Sequence, residues 1–156
     1  MKHTYIIGEI GQNHNGSLEI AKRIINLAAK PIFVPVFELE LKKMNAIKLT
    51  KRDMREELTT SYMNLPYENT HSFGKTYGEH RKFLELNNEQ HFELYKYAKS
   101  LSLDVVETLC SPGTLSLLKL FTPDYLKVAS RDLTNIPLIH CLAETKIPMI
   151  SAKKRP

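Results

Sequence analysis

The sequence has few cysteines and no long apolar run. Its 156 residues include only two cysteines, Cys110 and Cys141, which are too few for a disulfide framework or a cysteine-based metal cluster. We therefore expect free thiols in a reducing, cytoplasmic compartment. No apolar run reaches the roughly 18 residues that a membrane span needs, and the first residues lack the apolar core of a secretory signal. The sequence thus predicts neither a membrane protein nor a secreted one.

The excess of positive charge is also small. The chain has 22 Lys and Arg residues against 17 Asp and Glu residues, a net charge of +5, and these charges are spread along the chain. This distribution predicts no nucleic-acid partner, although it suits a small anionic substrate. The basic end at residues 153–155 is interpreted as a solvated tail. Hydrophobic residues make up 42% of the chain, which is typical of one globular domain.

Strand-like and helix-like segments alternate along the chain. Such alternation predicts parallel strands joined by right-handed crossovers. Five strands and four helices suit either an open doubly wound sheet or a partial (β/α)₈ barrel that is truncated before its second half, since a whole barrel takes about 250 residues. The predicted strands are residues 4–10, 46–50, 104–109, 125–129 and 148–151. The predicted helices are residues 18–30, 88–101, 112–120 and 134–145.

Two segments do not follow this alternation. Residues 31–45 (PIFVPVFELELKKMN) form a connection far longer than the usual 2–6 residues or so, and we interpret them as an atypical extended insertion of unassigned function. Residues 51–86 are polar, and Pro66, Gly74 and Gly78 are expected to interrupt any helix there. We therefore predict an irregular loop region over residues 51–86.

Two lysines lie in apolar strands. Lys48 and Lys127 each have apolar neighbours, and parallel strands are usually covered on both faces. A lysine in such a strand loses hydration and needs an anion. For one lysine alone, an ion pair with Glu9, Glu107 or Asp132 is an equally good explanation. Two lysines from nonadjacent strands, directed at one barrel mouth, favour a phosphate or carboxylate ligand.

Other polar residues have ordinary structural explanations. The turn at residues 13–16 contains Asn and Gly, which favour turns, and His14 within it is interpreted first as solvent-exposed. The charged residues at 77–81 are interpreted as a hydrated loop. Cys110 and Cys141 lack any nucleophile–base motif and are expected to be structural.

Four blocks of sequence together resemble the sialic acid synthases, that is, the N-acetylneuraminate synthases and their relatives. They occur in the family's order and cover most of the chain outside residues 31–45. This chain departs from the family pattern at Thr50, Ser111 and Lys153. The four blocks are residues 8–17 (GEIGQNHNGS), 46–53 (AIKLTKRD), 72–81 (SFGKTYGEHR) and 126–138 (LKVASRDLTNIPL).

The resemblance implies the N-terminal portion of a TIM barrel over residues 1–156, without the C-terminal half barrel and the family's antifreeze-like domain. It also implies a transferase that condenses phosphoenolpyruvate with N-acetylmannosamine, its phosphate or a related N-acetyl amino sugar to give a nonulosonic acid. A divalent metal, Mn²⁺ or Mg²⁺, is implied as well, and its ligands are expected to be absent from this chain. The full-length family is expected to form homodimers.

The resemblance further assigns roles to six residues. It implies catalytic roles for Glu9 and Asp132. It implies substrate-binding roles for Lys48, Lys127, Ser130 and Ser151. Three interpretations remain open. The first is a synthase that is inactive as this short chain alone, and the second is a truncated non-catalytic remnant that binds an anion or pairs with a partner. The third is another phosphoenolpyruvate aldol synthase.

Overall fold

The computed structural model describes residues 4–151, so the predicted basic tail and the departure at Lys153 lie outside the described residues. Elements are labelled in chain order. The strands are β1 (Ile7–Gly11), β2 (Ile32–Val34), β3 (Leu39–Leu41), β4 (Ala46–Lys51), β5 (Asp104–Leu109), β6 (Tyr125–Val128) and β7 (Met149–Ser151). The α-helices are α1 (Leu18–Ala28), α2 (Met54–Glu57), α3 (Thr60–Met63), α4 (Tyr77–Leu84), α5 (Asn88–Ser100) and α6 (Ile136–Glu144). The 3₁₀ helices are Pro35–Phe37, Pro112–Lys119 and Ser130–Asp132.

The main sheet is parallel and winds in one direction. Its strand order is β1-β4-β5-β6-β7, so each new strand pairs with the preceding strand of the same sheet. A doubly wound sheet reverses direction at a switch point, and this sheet has no such reversal between Ile7 and Ser151. The winding therefore distinguishes part of a barrel from the doubly wound alternative.

Capping side chains fix where the long helices begin. The Ser17 side chain accepts a hydrogen bond from the Ile20 amide and starts α1 at its predicted position. Asn87 and Gln90 form a reciprocal capping box at the start of α5. Helix α1 ends at Ala28 rather than at the predicted residue 30. Residue 30 precedes Pro31, and the residue before a proline disfavours helical geometry.

The helices bury their apolar faces against the sheet in two clusters. The first cluster lies where α1 and α5 pack on β1, β4 and β5, and it contains Ile10, Ala21, Ile25, Ile47, Leu49, Leu86, Leu94, Ala98, Leu103 and Val105. The second surrounds the 3₁₀ helix Pro112–Lys119, β6 and α6, and it contains Leu109, Leu117, Phe121, Leu126, Val128, Leu138 and Leu142. The sequence predicts an α-helix over residues 112–120. The segment Pro112–Lys119 instead forms a 3₁₀ helix, whose hydrogen bonds join residues three apart, as from the Thr114 amide to the Ser111 carbonyl.

The predicted irregular region at residues 51–86 contains three short helices, α2, α3 and α4. Helix α4 has its own capping box between Thr76 and Glu79, a signal that the sequence prediction missed. Gly78 does not interrupt this helix. A Cβ atom at Gly78 would lie 2.7 Å from the Met63 Cε atom and 2.8 Å from the Met63 carbonyl oxygen. The glycine is therefore needed because α3 and α4 approach closely at this point.

The insertion at residues 31–45 forms an antiparallel hairpin of β2 and β3, which pair from Ile32 with Leu41 to Val34 with Leu39. Glu38 adopts a left-handed conformation, with φ of 47°, after the 3₁₀ turn. The hairpin exposes apolar side chains to solvent, namely Ile32, Phe33, Val36, Phe37, Leu39 and Leu41.

Within the described part of the chain, no helix is both long and apolar enough to cross a bilayer.

Leu94 provides a test of the first cluster. Its side chain is fully buried, so Leu94→Ala should lower the free energy of unfolding by about 2–5 kcal/mol, because the substitution removes apolar contacts and leaves a cavity. Leu27→Ala, at an exposed position of α1, is the matched control and should change it by less than about 0.5 kcal/mol. Urea unfolding of the 156-residue chain, followed by circular dichroism, measures both values. Similar losses for the two variants would contradict the assigned core.

Candidate functional site

A cavity of about 370 Å³ opens where the parallel strands end. In an α/β barrel this C-terminal edge is the face on which catalytic side chains gather. Four cationic side chains and one carboxylate line the cavity, so the lining carries an excess of positive charge. The lining residues are Glu9, Gly11, Gln12, Lys48, Thr50, Arg52, Thr108, Cys110, Lys127, Ala129 and Arg131.

Lys48 lies at the base of this cavity and is buried, with 4% of its surface exposed. Its Nζ atom is 2.8 Å from a carboxylate oxygen of Glu9, which is its register partner on β1. The same ammonium donates to Thr108 Oγ1 at 3.2 Å. Of the acids proposed as partners for Lys48, Glu9 forms the ion pair, whereas Glu107 instead pairs with a histidine, His91, on α5.

Lys127 reaches the same cavity from β6, two strands away from the Lys48 strand. Its side chain is half-buried. Among residues 4–151, Lys127 forms no hydrogen bond and no ion pair. The cavity therefore holds one neutralised ammonium, on Lys48, and one ammonium without a protein counter-charge, on Lys127.

Two arginines and a glutamate close one side of the cavity. Arg52 Nη1 lies 3.1 Å from Glu57 Oε2, and the Arg131 guanidinium donates to the same oxygen. Arg131 Nε also lies 3.4 Å from a carboxylate oxygen of Asp132. Because the Glu57 side chain is only 7% exposed, this carboxylate joins the segments after β4 and β6 within a largely buried contact.

A second cavity of about 370 Å³ adjoins the first and shares Cys110 and Arg131 with it. Burial raises the pKa of the Cys110 thiol to about 11, so the thiol stays protonated near neutral pH. This is consistent with the structural role expected for Cys110. The lining residues are Glu56, Glu57, Cys110, Ser111, Pro112, Arg131, Asp132 and Asn135.

The loop between β1 and α1 is tied to the end of α4. Gln12 donates to Glu85 at 2.8 Å and accepts from Arg81 at 2.8 Å. Gly16 has a positive φ of 72°, and a Cβ atom there would lie 2.1 Å from the Phe83 carbonyl oxygen. The residues at 77–81, predicted as a hydrated loop, therefore form part of a helix that holds this loop beside the cavity.

His14 is buried, with 2% of its surface exposed, and not solvent-exposed as the turn composition suggested. Its Nδ1 atom accepts a hydrogen bond from the Gly16 amide at 3.1 Å. Burial lowers the pKa of His14, and the nearby charge of His91 lowers it further. His91 in turn lies 2.9 Å from Glu107 in the interior. The turn sequence gives no sign of this burial, because a neighbour such as His91 lies far along the chain, on α5.

The structure brings together three of the six predicted site residues in the first cavity: Glu9, Lys48 and Lys127. Asp132 is buried and lines the second cavity. Ser130 and Ser151 are exposed at the same end of the sheet and line neither cavity, so their substrate-binding roles stay predictions.

Sequence reasoning missed Arg52, Glu57 and Thr108 as residues of the site. Thr108 was detectable in principle, since it lies one alternation beyond Val106 on the same face of β5. Arg52 and Glu57 flank Asp53, which caps α2 by accepting from the Arg55 amide. A helix predicted to begin at this cap would have placed Arg52 and Glu57 near the end of β4, and therefore near the site.

A divalent metal would need several ligating side chains close together. Nowhere between residues 4 and 151 do three His, Cys, Asp or Glu side chains gather in a way that could hold a metal ion. The described residues therefore do not make a metal site by themselves.

Comparison with known proteins identifies the family. A sequence model of the NeuB family matches residues 40–153. The chain belongs to the NeuB family. Over 146 residues, this NeuB-family chain is 32% identical to the N-acetylneuraminate-9-phosphate synthase of Drosophila melanogaster, covering 94% of the chain and 36% of the relative. It is 30% identical to the N,N'-diacetyllegionaminic acid synthase of Legionella pneumophila, covering 94% of the chain and 38% of the relative.

A solved structure shows the same fold. The crystal structure of the N-acetylneuraminic acid synthetase of Leptospira borgpetersenii, in complex with citrate, matches with a TM-score of 0.71 and 25% identity. The match covers 96% of this NeuB-family chain and 44% of that protein. The partial-barrel fold and the resemblance to sialic acid synthases are thus confirmed. The chain spans little more than a third of the length of the curated relatives described above.

The burial of His14 predicts a pH dependence of stability. Because its pKa is lowered in the folded protein, the unfolded chain binds more protons as the pH falls through about 6.5, the ordinary histidine value. The free energy of unfolding should therefore fall between pH 7.5 and pH 5.5. His14→Asn keeps an acceptor for the Gly16 amide and should make this fall shallower. Urea titrations at several pH values measure the slope.

His71 supplies the matched control, because it is an exposed histidine. His71→Asn should leave the slope of stability against pH as it is in the parent chain. An identical slope in the parent and the His14→Asn variant would show that His14 contributes nothing to this pH dependence.

Proposed function

We propose that this chain carries the phosphoenolpyruvate-binding part of a sialic acid synthase-type transferase. The proposed reaction joins phosphoenolpyruvate to N-acetylmannosamine or a related N-acetyl amino sugar and yields a nonulosonic acid in carbohydrate biosynthesis. One observation carries the proposal: Lys48 and Lys127, from nonadjacent strands, line one cavity, and Lys127 has no protein counter-charge among the described residues. The synthases to which the chain is similar support the reaction class.

The charge of the cavity suits this ligand. Phosphoenolpyruvate carries a phosphate and a carboxylate, and the lining offers the ammonium groups of Lys48 and Lys127 with the guanidinium groups of Arg52 and Arg131. An anionic oxygen 4 Å from one ammonium gains about 4 kcal/mol at an effective dielectric constant of 20, before desolvation is subtracted. Two such contacts, from lysines on different strands, would also orient the ligand, which is a large part of catalysis by positioning.

Glu9 and Asp132 are the proposed acid–base residues. An anion bound at Lys48 would compete with Glu9 for the ammonium, since Glu9 lies 2.8 Å from the Lys48 Nζ atom. The released carboxylate would then lie beside the ligand, where it can accept or return a proton. Asp132, which contacts Arg131 in the adjoining cavity, is proposed to do the same for a second substrate. Ser130 and Ser151 are proposed to donate hydroxyl hydrogen bonds at the same end of the sheet.

The complete reaction needs groups beyond these residues. A Mn²⁺ or Mg²⁺ ion, if bound, would supply Lewis-acid chemistry at the sugar, and its ligands would come from outside residues 4–151. We therefore expect the 156-residue chain alone to release no phosphate from phosphoenolpyruvate. The cytoplasm is the proposed location, and homodimer formation is proposed for the longer protein.

A second candidate function is a non-catalytic half barrel that binds an anion and pairs with a partner. The atypical insertion at residues 31–45 favours it, since its hairpin exposes apolar side chains that a partner could cover. To separate the two candidates, the 156-residue chain is mixed with a purified fragment of a relative that supplies the rest of the barrel. Phosphate release from phosphoenolpyruvate is then measured with N-acetylmannosamine and Mn²⁺. Turnover would favour the synthase, whereas anion binding without turnover would favour the half barrel.

Lys127 provides the direct test of phosphoenolpyruvate binding. Lys127→Met keeps the apolar stem of the side chain but removes its charge, and it should weaken phosphoenolpyruvate binding by about tenfold or more, equivalent to about 1.4 kcal/mol. Isothermal titration calorimetry of the 156-residue chain at low and high salt measures the affinity, which should fall with added salt.

The control for this test is Lys119→Met, because Lys119 is exposed and lines neither cavity. This variant should bind phosphoenolpyruvate as the parent chain does. Absence of binding at millimolar phosphoenolpyruvate, or equal affinity in the Lys127→Met variant, would refute the proposed site.

A further inference from the structure

The insertion carries a small two-stranded sheet that is uncovered within the described part of the chain. Strands β2 and β3 pair with each other and not with the main sheet. All residues from 31 to 43 are exposed except Val34, which is half-buried. Val36 is 84% exposed and Phe37 is 76% exposed. Exposed apolar surface of this kind is typical of a contact surface.

The outer edge of β3 is open. Because β3 pairs with β2 alone among the described residues, the backbone groups on its other side have no strand partner. Glu40, Leu41 and Lys42 also line a cavity of about 780 Å³, so open space adjoins them. The outer edge of β2 is less suited to pairing, because Pro31 and Pro35 flank that strand and lack N–H donors. A further strand would therefore add at β3.

The side chains along β3 alternate in character. Leu39 and Leu41 lie on one face of the strand and Glu40 lies on the other, because neighbouring side chains point to opposite faces. Continued by one residue, the alternation places Lys42 on the face of Glu40. The edge thus presents an apolar row on one face and an acid followed by a base on the other.

An antiparallel copy of the same edge complements this pattern. A pairing centred on Leu41 sets Leu41 against Leu41 of the second copy, and it sets Glu40 against Lys42 of the second copy twice by symmetry. A shift by one residue would set the apolar row against the charged row. A shift by two would be centred on Glu40 and would oppose two glutamates, which is destabilising. The side chains therefore favour the register centred on Leu41.

A lipid surface suits the hairpin less well than a second copy does. Glu38 directly follows Phe37 at the apolar tip, and Glu40 is two residues further along. Insertion of the tip into a bilayer would take these carboxylates out of water, at a large cost in free energy. A second copy instead supplies a base, Lys42, for Glu40.

We propose that β3 is a self-association edge, at which two copies of this chain pair antiparallel to form the four-stranded sheet β2-β3-β3-β2. The inference goes beyond the proposed function, since none of residues 31–45 lines either cavity at the C-terminal edge of the main sheet. It also differs from the homodimer proposed for the longer protein, because the insertion alone supplies the contact.

Self-association is measured by analytical ultracentrifugation of the 156-residue chain over a series of concentrations. Glu40→Lys should weaken the dimer at least about tenfold, because both Glu–Lys contacts become like-charge contacts. The double variant Glu40→Lys/Lys42→Glu exchanges the two charges and should restore most of the lost affinity. Glu68→Lys is the matched control, since Glu68 is exposed outside the hairpin and the change of charge is the same. It should dimerise as the parent does.

Disulfide formation tests the register of the pairing. In a Cys141→Ser background the remaining native thiol, on Cys110, is buried, and Leu41→Cys should give a covalent dimer on oxidation. Leu39→Cys is the matched control, because its two copies would lie four residues out of register, too far apart for a disulfide. Equal cross-linking of the two variants would contradict the proposed pairing.

Two further outcomes would overturn the inference: a parent chain that stays monomeric at every concentration, and a dimer whose affinity Glu40→Lys leaves unchanged. Sedimentation with vesicles of phosphatidylcholine and phosphatidylserine tests the other occupant. Vesicle binding that Phe37→Ser abolishes, without dimer formation, would assign the hairpin to a lipid surface and also overturn the inference. Glu40→Lys should still bind phosphoenolpyruvate as the parent does, so failure of the β3 contact leaves the proposed function standing.

Discussion

The candidate site depends on a buried ammonium group held by one carboxylate. Lys48 is placed inside the sheet, and its Nζ atom contacts Glu9 at 2.8 Å and Thr108 at 3.2 Å. A buried charge without a partner would be strongly unfavourable, so these neighbours are a condition for having a lysine at this position. Because Glu9 belongs to β1 and Thr108 to β5, the ammonium bonds to both strands that flank its own. The Lys48 ammonium thus lines the first cavity and also links the three strands at its base.

Strand β5 carries a residue of the candidate site and a residue of the interior at adjacent positions. Thr108 faces the cavity, whereas its neighbour Glu107 faces the helices and pairs with His91 at 2.9 Å. Alternation along a strand places adjacent side chains on opposite faces, so the site residue Thr108 and the interior contact of Glu107 with His91 come from neighbouring positions. His14 lies near that pair and bonds to the loop beside the first cavity. The loop beside the first cavity therefore contains a buried histidine close to this interior contact.

Much of the fold was predictable from the sequence, because its signals are local. Ser17 marks the start of α1, and apolar neighbours mark Lys48 and Lys127 as residues of buried strands. The site was less predictable, because it joins distant residues. The contact between Glu57 and Arg131 spans 74 positions, and no local pattern reports it. Gly78 misled the prediction for a related reason, since its role is set by Met63 on another helix.

The order of the strands has a consequence for how this chain can fold. Each strand of the main sheet pairs with the preceding one, so every new pairing closes a loop of moderate length within a growing sheet. Loop closure is the main entropic barrier to parallel pairing. The sheet can therefore assemble in the order of synthesis, with β1 and β4 forming a template before β6 has left the ribosome. In a doubly wound sheet, which reverses direction at a switch point, an early strand must instead keep one edge unpaired until a later strand has been made.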